Sequence, residues 1–368
     1  MKYLRICWRK LKLSNDKILI KEMLDRIQKL SGEAINIMEV CGTHTQAISK
    51  FGIRQLVEPN IKLLSGPGCP VCVTSEEYID AAIELTKYSN IIIATFGDMM
   101  KVLGSRENLI KQRERDREIR VVYSPLEAIR LAEDNRSKEV VFLGIGFETT
   151  APLIALIIKS AKEKNIKNLS VLTGMKRMEP ILHYILSKEN HNIHGLICPG
   201  HVAAVKGEKY FEFTTENYNI PAAIAGFEAA DIVSALYFLT VQQGEHKKSF
   251  KNLYKKCVTK DGNIKANSLM EEVFTYCPAK WRGIGSIKSS GLTLKDNYKE
   301  YNAALKYGVK IKEESDTRNI CSEVLLGRKL PTSCEYFGRL CNPEKPMGPS
   351  MVSAEGSCAV FYRYKGVK

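Results

Sequence analysis

The chain has 368 residues, of which 44% are hydrophobic and 26% charged, as in many soluble globular proteins. This length suggests two or three domains and excludes both a disulfide-stapled miniprotein and a disordered tail. No run of about 18 apolar residues predicts a transmembrane helix. The basic N-terminus lacks the apolar region of a secretory signal. We therefore expect a cytoplasmic protein with no membrane partner.

The formal net charge is +14, a balance found in many proteins that bind nucleic acid or acidic partners. The lysines are scattered, however, and no basic run alternates with aromatic residues as a nucleic-acid platform requires. We expect no nucleic-acid partner.

Short apolar runs alternate with helical patterns through the first two thirds of the chain. The runs are continuous, which is typical of parallel strands covered on both faces. Strand–helix alternation of this kind predicts an α/β fold with mainly parallel sheets. We predict helices over Ser75–Tyr88 and Leu126–Asn135. The predicted strands are Ile35–Val40, Ile61–Leu64, Ile91–Phe96, Arg120–Tyr123, Val140–Ile145, Leu169–Leu172 and Gly195–Cys198.

Changes in composition predict three domains. A charged stretch near residue 120 divides the α/β part into two similar units, 20–120 and 121–240, on either side of a cleft. Beyond residue 240 the strand patterns thin out and Lys, Gly, Ser and Pro increase, which indicates a loop-rich third domain over 241–368. Two interpretations stay open for residues 1–19: a helix packed on the third domain, or a mobile extension.

Five loops that follow predicted strands carry Gly, Cys, His and Asp residues. Ligands collect at the carboxyl edge of parallel sheets, so we expect these loops to form a functional cleft. Asp98 and His201 lie on two of the loops as candidate polar groups. The five loops are Cys41–Gln46, Ser65–Cys72, Phe96–Met100, Gly144–Thr150 and Pro199–Val202.

Four cysteines occupy the last 48 residues, separated by 12, 6 and 16 residues. Zinc sites usually use close pairs, because one tight turn then supplies two thiolates. Wide gaps suit the separate corners of a cubane, and four thiolates without a nearby His favour iron–sulfur over zinc. We predict a [4Fe–4S] cluster, with a zinc site or four buried thiols as alternatives. The cysteines are Cys321, Cys334, Cys341 and Cys358.

Cys69 and Cys72 form a C-x-x-C motif in an α/β context. Two cysteines at this spacing can close a disulfide, and the motif lowers the pKa of the attacking thiol. We interpret the pair as a redox-active dithiol. Half of a metal site and two inert thiols are the alternatives.

Cys41 follows the first predicted strand directly, and His44 lies three residues further on. A solitary cysteine is usually a small buried hydrophobe. At a strand end in a polar loop, it is placed as a reactive thiolate or a metal ligand, with His44 able to orient or protonate a bound group. No pattern supports a role for the remaining cysteines, which are Cys7, Cys198, Cys257 and Cys277.

From about Ile35 to Tyr364 the sequence resembles the HypD family of hydrogenase maturation factors. Several separate segments match in the same order, and the resemblance implies three α/β domains around a central cleft. The segments are MEVCGTHT, GPGCPVC, TFGDMM, YSPLEA, GIGFETT, PGHV, GFEAAD, WRGIG and the tail PTSCEYFGRLC…GPSMVSAEGSCAVFYRY.

The resemblance implies a scaffold that works with a small partner, HypC, to assemble the Fe(CN)2CO unit of the [NiFe]-hydrogenase large subunit. HypE is the implied cyanide donor, using carbamoyl chemistry begun by HypF. The resemblance also implies that Cys41 binds the iron with His44 beside it, and that Cys69 and Cys72 are a redox-active dithiol. The implied ligands of the [4Fe–4S] cluster are Cys321, Cys334, Cys341 and Cys358.

Moving cyanide onto iron consumes electrons, so we hypothesise an electron path from the cluster through the dithiol to iron at Cys41. A stand-alone iron–sulfur thiol–disulfide oxidoreductase is a competing function that leaves Cys41 unused. A zinc-stabilised binding module is a third hypothesis. The sequence leaves open whether a scaffold that turns over only within a complex is an enzyme.

Overall fold

The computed structural model describes residues 14–29, 34–189, 191–309, 311 and 320–365. Within them, the strands are β1 (Ile35–Glu39), β2 (Ile61–Ser65), β3 (Ile91–Thr95), β4 (Ile119–Val121), β5 (Glu139–Gly144), β6 (Leu169–Thr173), β7 (Gly195–Pro199), β8 (Ala222–Ala225), β9 (Phe250–Asn252), β10 (Phe274–Trp281) and β11 (Gly285–Leu294).

The α-helices of the described residues are α1 (Ser14–Lys29), α2 (Gly42–Lys50), α3 (Ile53–Val57), α4 (Pro70–Val73), α5 (Glu76–Thr86), α6 (Leu109–Glu114), α7 (Leu126–Asp134), α8 (Ala151–Glu163), α9 (Met178–Leu186), α10 (Gly200–Lys206), α11 (Phe213–Tyr218), α12 (Ala229–Val241), α13 (Ile264–Val273), α14 (Ala303–Tyr307), α15 (Ile320–Leu325), α16 (Pro349–Val352) and α17 (Ser357–Lys365). Short 3-10 helices cover Gly97–Lys101, Glu208–Phe211, Gln242–Gly244, Asp296–Tyr301 and Pro331–Ser333.

Two parallel sheets form the body of the molecule, which confirms the predicted α/β class. The first sheet has the strand order β2-β1-β7-β8-β9, and the second has the order β4-β3-β5-β6. Every pairing within them is parallel. All seven predicted strands and both predicted helices are present, with ends shifted by a few residues. The inner strands are buried on both faces, as their continuous apolar sequences require, while the edge strands β2, β4 and β9 each expose one residue.

The strand pairing does not follow the predicted division near residue 120. That position lies inside β4, which pairs with β3, and β3 in turn pairs with β5. The first sheet joins β1 and β2 from the start of the chain to β7, β8 and β9 from much later. The charged stretch that suggested a boundary forms α6 and the turn after it, where most side chains are exposed. A surface helix and a linker between domains share this polar composition, so composition alone does not distinguish them.

Residues 241–368 do not form one separate loop-rich unit. Strand β9 extends the first sheet, and β10 and β11 pair as an antiparallel hairpin. Phe274 and Leu294 of the hairpin share a core with Phe142 of the second sheet. Trp281 is fully buried and donates a hydrogen bond from Nε1 to Ser290 Oγ at 2.9 Å. The loop-rich texture is found further on, over 320–365, where short helices alternate with turns.

The helix that begins in the predicted N-terminal segment packs on the first sheet through residues beyond position 19. Helix α1 begins at Ser14, and its Ile20 and Ile27 share a core with Ile232 of α12. Residues 1–13, which include Cys7 and most of the predicted extension, lie outside the described residues. Among the helices that the structure describes, none is long and apolar enough to cross a membrane.

Candidate functional site

A cavity of about 200 Å³ lies where loops from both sheets meet. Four of the five predicted loops contribute to its wall. The loop Phe96–Met100 does not, and Asp98 is exposed in a 3-10 helix elsewhere. The residues that line the cavity are Val40, Cys41, Thr43, Gly68, Pro70, Phe147, Thr149, Thr150, Met178, Pro199, His201, Val202 and Glu355.

Cys41 lies at the junction of β1 and α2, where it is the N-cap residue of the helix. Its backbone N–H donates to Glu39 Oε2 at 3.0 Å. The thiol is only 8% exposed. Burial raises the pKa of Cys41 to about 12, and the carboxylates of Glu39 and Glu355 add to the effect. The thiol is therefore neutral until a cation replaces its proton, as metal binding to cysteine requires.

Glu39 is a fully buried carboxyl group at the end of an apolar strand. Thr45 Oγ1 donates to its Oε1 at 2.6 Å, and Cys41 N–H donates to its Oε2. Burial raises the pKa of Glu39 to about 7, and these hydrogen bonds together with Arg54 oppose the rise. Glu39 thus holds the first turn of α2 in place beneath the cavity.

His44 lies in the first turn of α2, fully buried and outside the cavity wall. Its Nε2 donates to Gly226 O at 3.0 Å, so Nδ1 carries the free lone pair, and no described group bonds to it. Burial lowers the pKa of His44 to about 4, which keeps the ring neutral. Phe227 stacks between His44 and His201, with ring centroids 4.7 Å and 4.1 Å away. His201, not His44, reaches the cavity.

A disulfide bond joins Cys69 and Cys72 at the N-terminus of the short helix α4. Both cysteines are buried, and the neighbouring residues Gly68 and Pro70 line the cavity. The loop passes directly over Cys41, since Gly42 N–H donates to Gly68 O at 3.4 Å. A Cβ atom on Gly68 would overlap the backbone of Val40 and Cys41, so only glycine permits this approach.

The C-terminal segment closes one side of the cavity. Thr43 Oγ1 donates to Glu355 Oε1 at 3.0 Å, and Gln46 Nε2 donates to Ala354 O at 2.6 Å. A Cβ atom on Gly42 would overlap the Glu355 side chain. These contacts attach the segment that carries the last cysteine to the helix that follows Cys41.

The four C-terminal cysteines interact electrostatically with one another. Burial raises the pKa of Cys321 to about 11, and Cys334 and Cys341 raise it further. Burial, followed by Cys321, Cys341 and Cys334, also raises the pKa of Cys358. Among the described residues, no three His, Cys, Asp or Glu side chains are placed to hold a single metal ion. The four candidate donors are all thiols, the ligand set most common in iron–sulfur clusters.

Two of these thiols have close backbone neighbours. Met347 N–H donates to Cys341 Sγ at 3.4 Å. A Cβ atom on Gly348 would lie 2.8 Å from Cys321 Sγ, so a small residue keeps that sulfur accessible. Of the other cysteines, Cys198 is buried, Cys277 half-buried and Cys257 exposed, and none lines the cavity.

Comparison with known proteins identifies the family. The HypD model, described as the hydrogenase formation hypA family, matches residues 18–365. The chain belongs to the HypD family. It is 40% identical to hydrogenase maturation factor HypD2 of Bradyrhizobium diazoefficiens, over 89% of this chain and 88% of that protein. It is 36% identical to the hydrogenase maturation factors HypD of Escherichia coli and Rhodobacter capsulatus, over 94% and 95% of this chain and 94% of each relative.

Sequence reasoning missed two carboxyl groups at the site of this HypD-family chain. Glu39 had a detectable signal, because a lone carboxyl group in a continuous apolar strand needs a buried partner. Glu355 had none, since an isolated glutamate in a polar tail resembles any surface residue. It reaches Cys41 only through the folding of the C-terminal segment onto α2.

Proposed function

We propose that this chain is a [NiFe]-hydrogenase maturation scaffold on which the Fe(CN)2CO unit is assembled. In this proposal it acts with a HypC-type small chaperone, receives cyanide from HypE, and serves the hydrogenase large subunit indirectly. Its relatives are named hydrogenase maturation factors, and the family as a whole is described by hydrogenase formation.

One observation carries the proposal: Cys41 and the disulfide loop meet at a single cavity. Cys41, Gly68 and Pro70 all contribute to its wall. A metal ligand and a redox-active pair need this proximity if electrons are to reach the bound iron. The cavity volume of about 200 Å³ is also enough for a small metal unit with diatomic ligands.

In this proposal Cys41 is the protein ligand of the iron substrate. Low-spin iron with cyanide and CO favours a soft, anionic thiolate. The buried thiol gives up its proton only when the iron arrives, because a bare thiolate is disfavoured there. Backbone N–H groups of the glycine-rich loops would then donate hydrogen bonds to the cyanide nitrogens.

Cys69 and Cys72 act as the two-electron carrier. Their dithiol form releases two electrons and two protons when the disulfide closes, and the reverse change consumes the same number. The pair has the closed form here. Reopening it requires an external reductant, and Gly68 connects the pair directly to the Cys41 loop.

Cys321, Cys334, Cys341 and Cys358 would hold a [4Fe–4S] cluster. When bound, such a cluster supplies one-electron transfer. The contacts of Glu355 and Gln46 keep the segment that ends at Cys358 against the Cys41 helix. The protein thus holds its cysteine-rich region close to the cavity.

Infrared spectroscopy tests the scaffold directly. The protein is purified without oxygen after co-expression with its maturation partners, beside a Cys41→Ala variant. We expect cyanide and CO stretching bands in the parent protein and none in the variant. A matched Cys257→Ala variant, which removes an exposed cysteine away from the cavity, should keep the bands.

The closed disulfide also favours one competing function, a stand-alone thiol–disulfide oxidoreductase. The two functions differ in what each cysteine does. A scaffold loses hydrogenase maturation in both Cys41→Ala and Cys72→Ala variants. An oxidoreductase keeps disulfide reduction in the Cys41→Ala variant, and its parent protein shows no cyanide or CO bands although the partner complex is intact.

A further inference from the structure

A second and larger cavity lies beside the Cys41 cavity, since its wall residues Glu148 and Arg177 are chain neighbours of Phe147 and Met178. Its volume is about 410 Å³, and it is bounded by α13, by the hairpin of β10 and β11, and by residues just beyond β5 and β6. Among the residues that the structure describes, none lines both cavities. The proposed scaffold function gives this second cavity no role.

Glu148 contributes an unsatisfied acceptor to the wall of this cavity. The side chain is only 3% exposed. Its Oε1 accepts hydrogen bonds from the Tyr210 hydroxyl and from Met178 N–H, while Oε2 has no partner among the described residues. A buried carboxyl oxygen without a hydrogen-bond partner destabilises the folded protein. A ligand with an N–H or O–H group in the cavity would remove that destabilisation.

Cationic side chains lie on other parts of the same wall. Lys206 Nζ donates to Asn267 Oδ1 at 3.0 Å, and Lys295 Nζ donates to the backbone oxygen of Glu271. No carboxylate of the described residues forms an ion pair with either amine. Arg177 is paired with Glu179 at 2.7 Å. The two lysines therefore offer positive charge to an incoming anion.

Apolar and aromatic groups complete the wall. Met270 and Phe274 are buried, and Leu292 lies on the facing strand of the hairpin. The guanidinium of Arg177 lies 3.7 Å from the centroid of the Tyr276 ring, which fixes that ring at the edge of the cavity. An apolar wall that includes an aromatic ring suits a ligand with a planar apolar body.

We propose that this cavity binds a small organic anion with a planar apolar body and an N–H or O–H donor. The anionic group meets Lys206 and Lys295, the body packs on Phe274 and Leu292, and the donor reaches Glu148. The inference is independent of the scaffold proposal, because it uses none of the residues on which that proposal rests.

Calorimetric titration with indole-3-acetate tests the proposal, since this probe has a carboxylate, a planar ring and one N–H donor. We expect binding with a Kd below about 1 mM. Tryptamine, which has the same ring and donor but a cationic chain, should bind at least about tenfold more weakly. No binding of indole-3-acetate, or tighter binding of tryptamine, would overturn the proposal.

Two variants locate the binding. Lys206→Gln should weaken binding about tenfold by removing an unpaired cation. Thr275→Trp should abolish binding, because Thr275 is an exposed residue of the cavity wall where a large ring blocks the entrance. Lys265→Gln on the exposed part of α13 and Thr275→Ser are the matched controls and should bind as the parent does. Binding that survives Thr275→Trp in a folded protein would also overturn the proposal.

Discussion

Gly68 is the residue whose size most directly controls the Cys41 site. A Cβ atom there would overlap backbone atoms of Val40 and Cys41, which cannot move as a flexible side chain can. We expect Gly68→Ala to lower the free energy of unfolding by about 1–3 kcal/mol and to abolish the cyanide and CO bands. Thermal unfolding and infrared spectra of the same preparation measure both effects.

Gly97→Ala is the matched control for that substitution. Gly97 begins a 3-10 helix, and a Cβ atom on it would meet only a Val121 methyl group at 3.6 Å. This variant should keep the stability and the bands of the parent. If Gly68→Ala keeps the stability and the infrared bands as Gly97→Ala does, the close contact between Gly68 and the Cys41 backbone is wrong.

Lys176 makes folding stability depend on pH. The side chain is 6% exposed, and burial lowers its pKa from the ordinary 10.5 to about 8, partly offset by Cys277. Between about pH 8 and pH 10.5 the unfolded chain binds more protons than the folded one. The contribution of Lys176 to stability therefore rises with pH in this range. Below about pH 8 both states carry the charge, and the full cost of burying it remains.

Lys176→Met should therefore be more stable than the parent near pH 7. We expect the difference in unfolding free energy to shrink by about 2 kcal/mol from about pH 7 to about pH 10. Urea denaturation at both pH values measures it. Lys167→Met, at an exposed lysine, should show no such change, and an equal change there would contradict the assignment to Lys176.

The candidate site was predictable where a residue type stands out at a strand end. Cys41 and His201 each lie two residues beyond the end of a strand, and the parallel pairing of β1 with β7 brings them to one edge. His44 follows the same strand, but the first turn of α2 directs it against Phe227 and away from the cavity. That difference depends on helix phase and packing, which the order of residues alone does not reveal.

Among the elements, the parallel strands were predictable because each is a short continuous apolar run. The β10–β11 hairpin was not. Along β10, the buried ends Phe274 and Trp281 enclose six residues that are exposed or half-buried. Pro278 lies within that strand, where the ladder shifts register between Cys277 and Ala279. A proline and a polar interior favour a loop over a strand unless the partner strand is known.

Helix α4 depends on the disulfide more than on its own sequence. Four residues are far too few for a stable isolated helix. The bond between Cys69 and Cys72 fixes its first turn, and α4 packs against α16 of the C-terminal segment. Reduction should loosen both helices while leaving β1 unchanged.

Hydrogen–deuterium exchange with and without a phosphine reductant tests this coupling. We expect faster exchange of the amides of Val71–Val73 and Ser350–Val352 after reduction. A Cys69→Ser, Cys72→Ser double variant should exchange fast at these positions under both conditions. If reduction increases the exchange rate only in α4, the disulfide does not influence the C-terminal segment.

At the scale of the whole molecule, the two parallel sheets are interleaved along the chain. The chain builds β1 and β2 of the first sheet, then the whole second sheet, and only then returns to add β7 beside β1. The amino-acid composition indicates which segments lie on the polar surface, but it does not indicate which strands pair. Composition therefore predicts a division of the chain into two consecutive units near residue 120. The pairing of β1 with β7, which are far apart in sequence, shows that this division is wrong.

This interleaving predicts how the chain responds to being divided. A cut after residue 120 passes through β4, separates β3 from β5 and separates β1 from β7. We expect the two pieces to be insoluble or to unfold without cooperativity, even when they are co-expressed.

A cut within the exposed residues 244–247 crosses no strand and keeps β1–β8 in one piece. Its co-expressed pieces should copurify and unfold cooperatively in calorimetry. If the pieces divided at residue 120 fold independently, the strand pairing across that position is wrong.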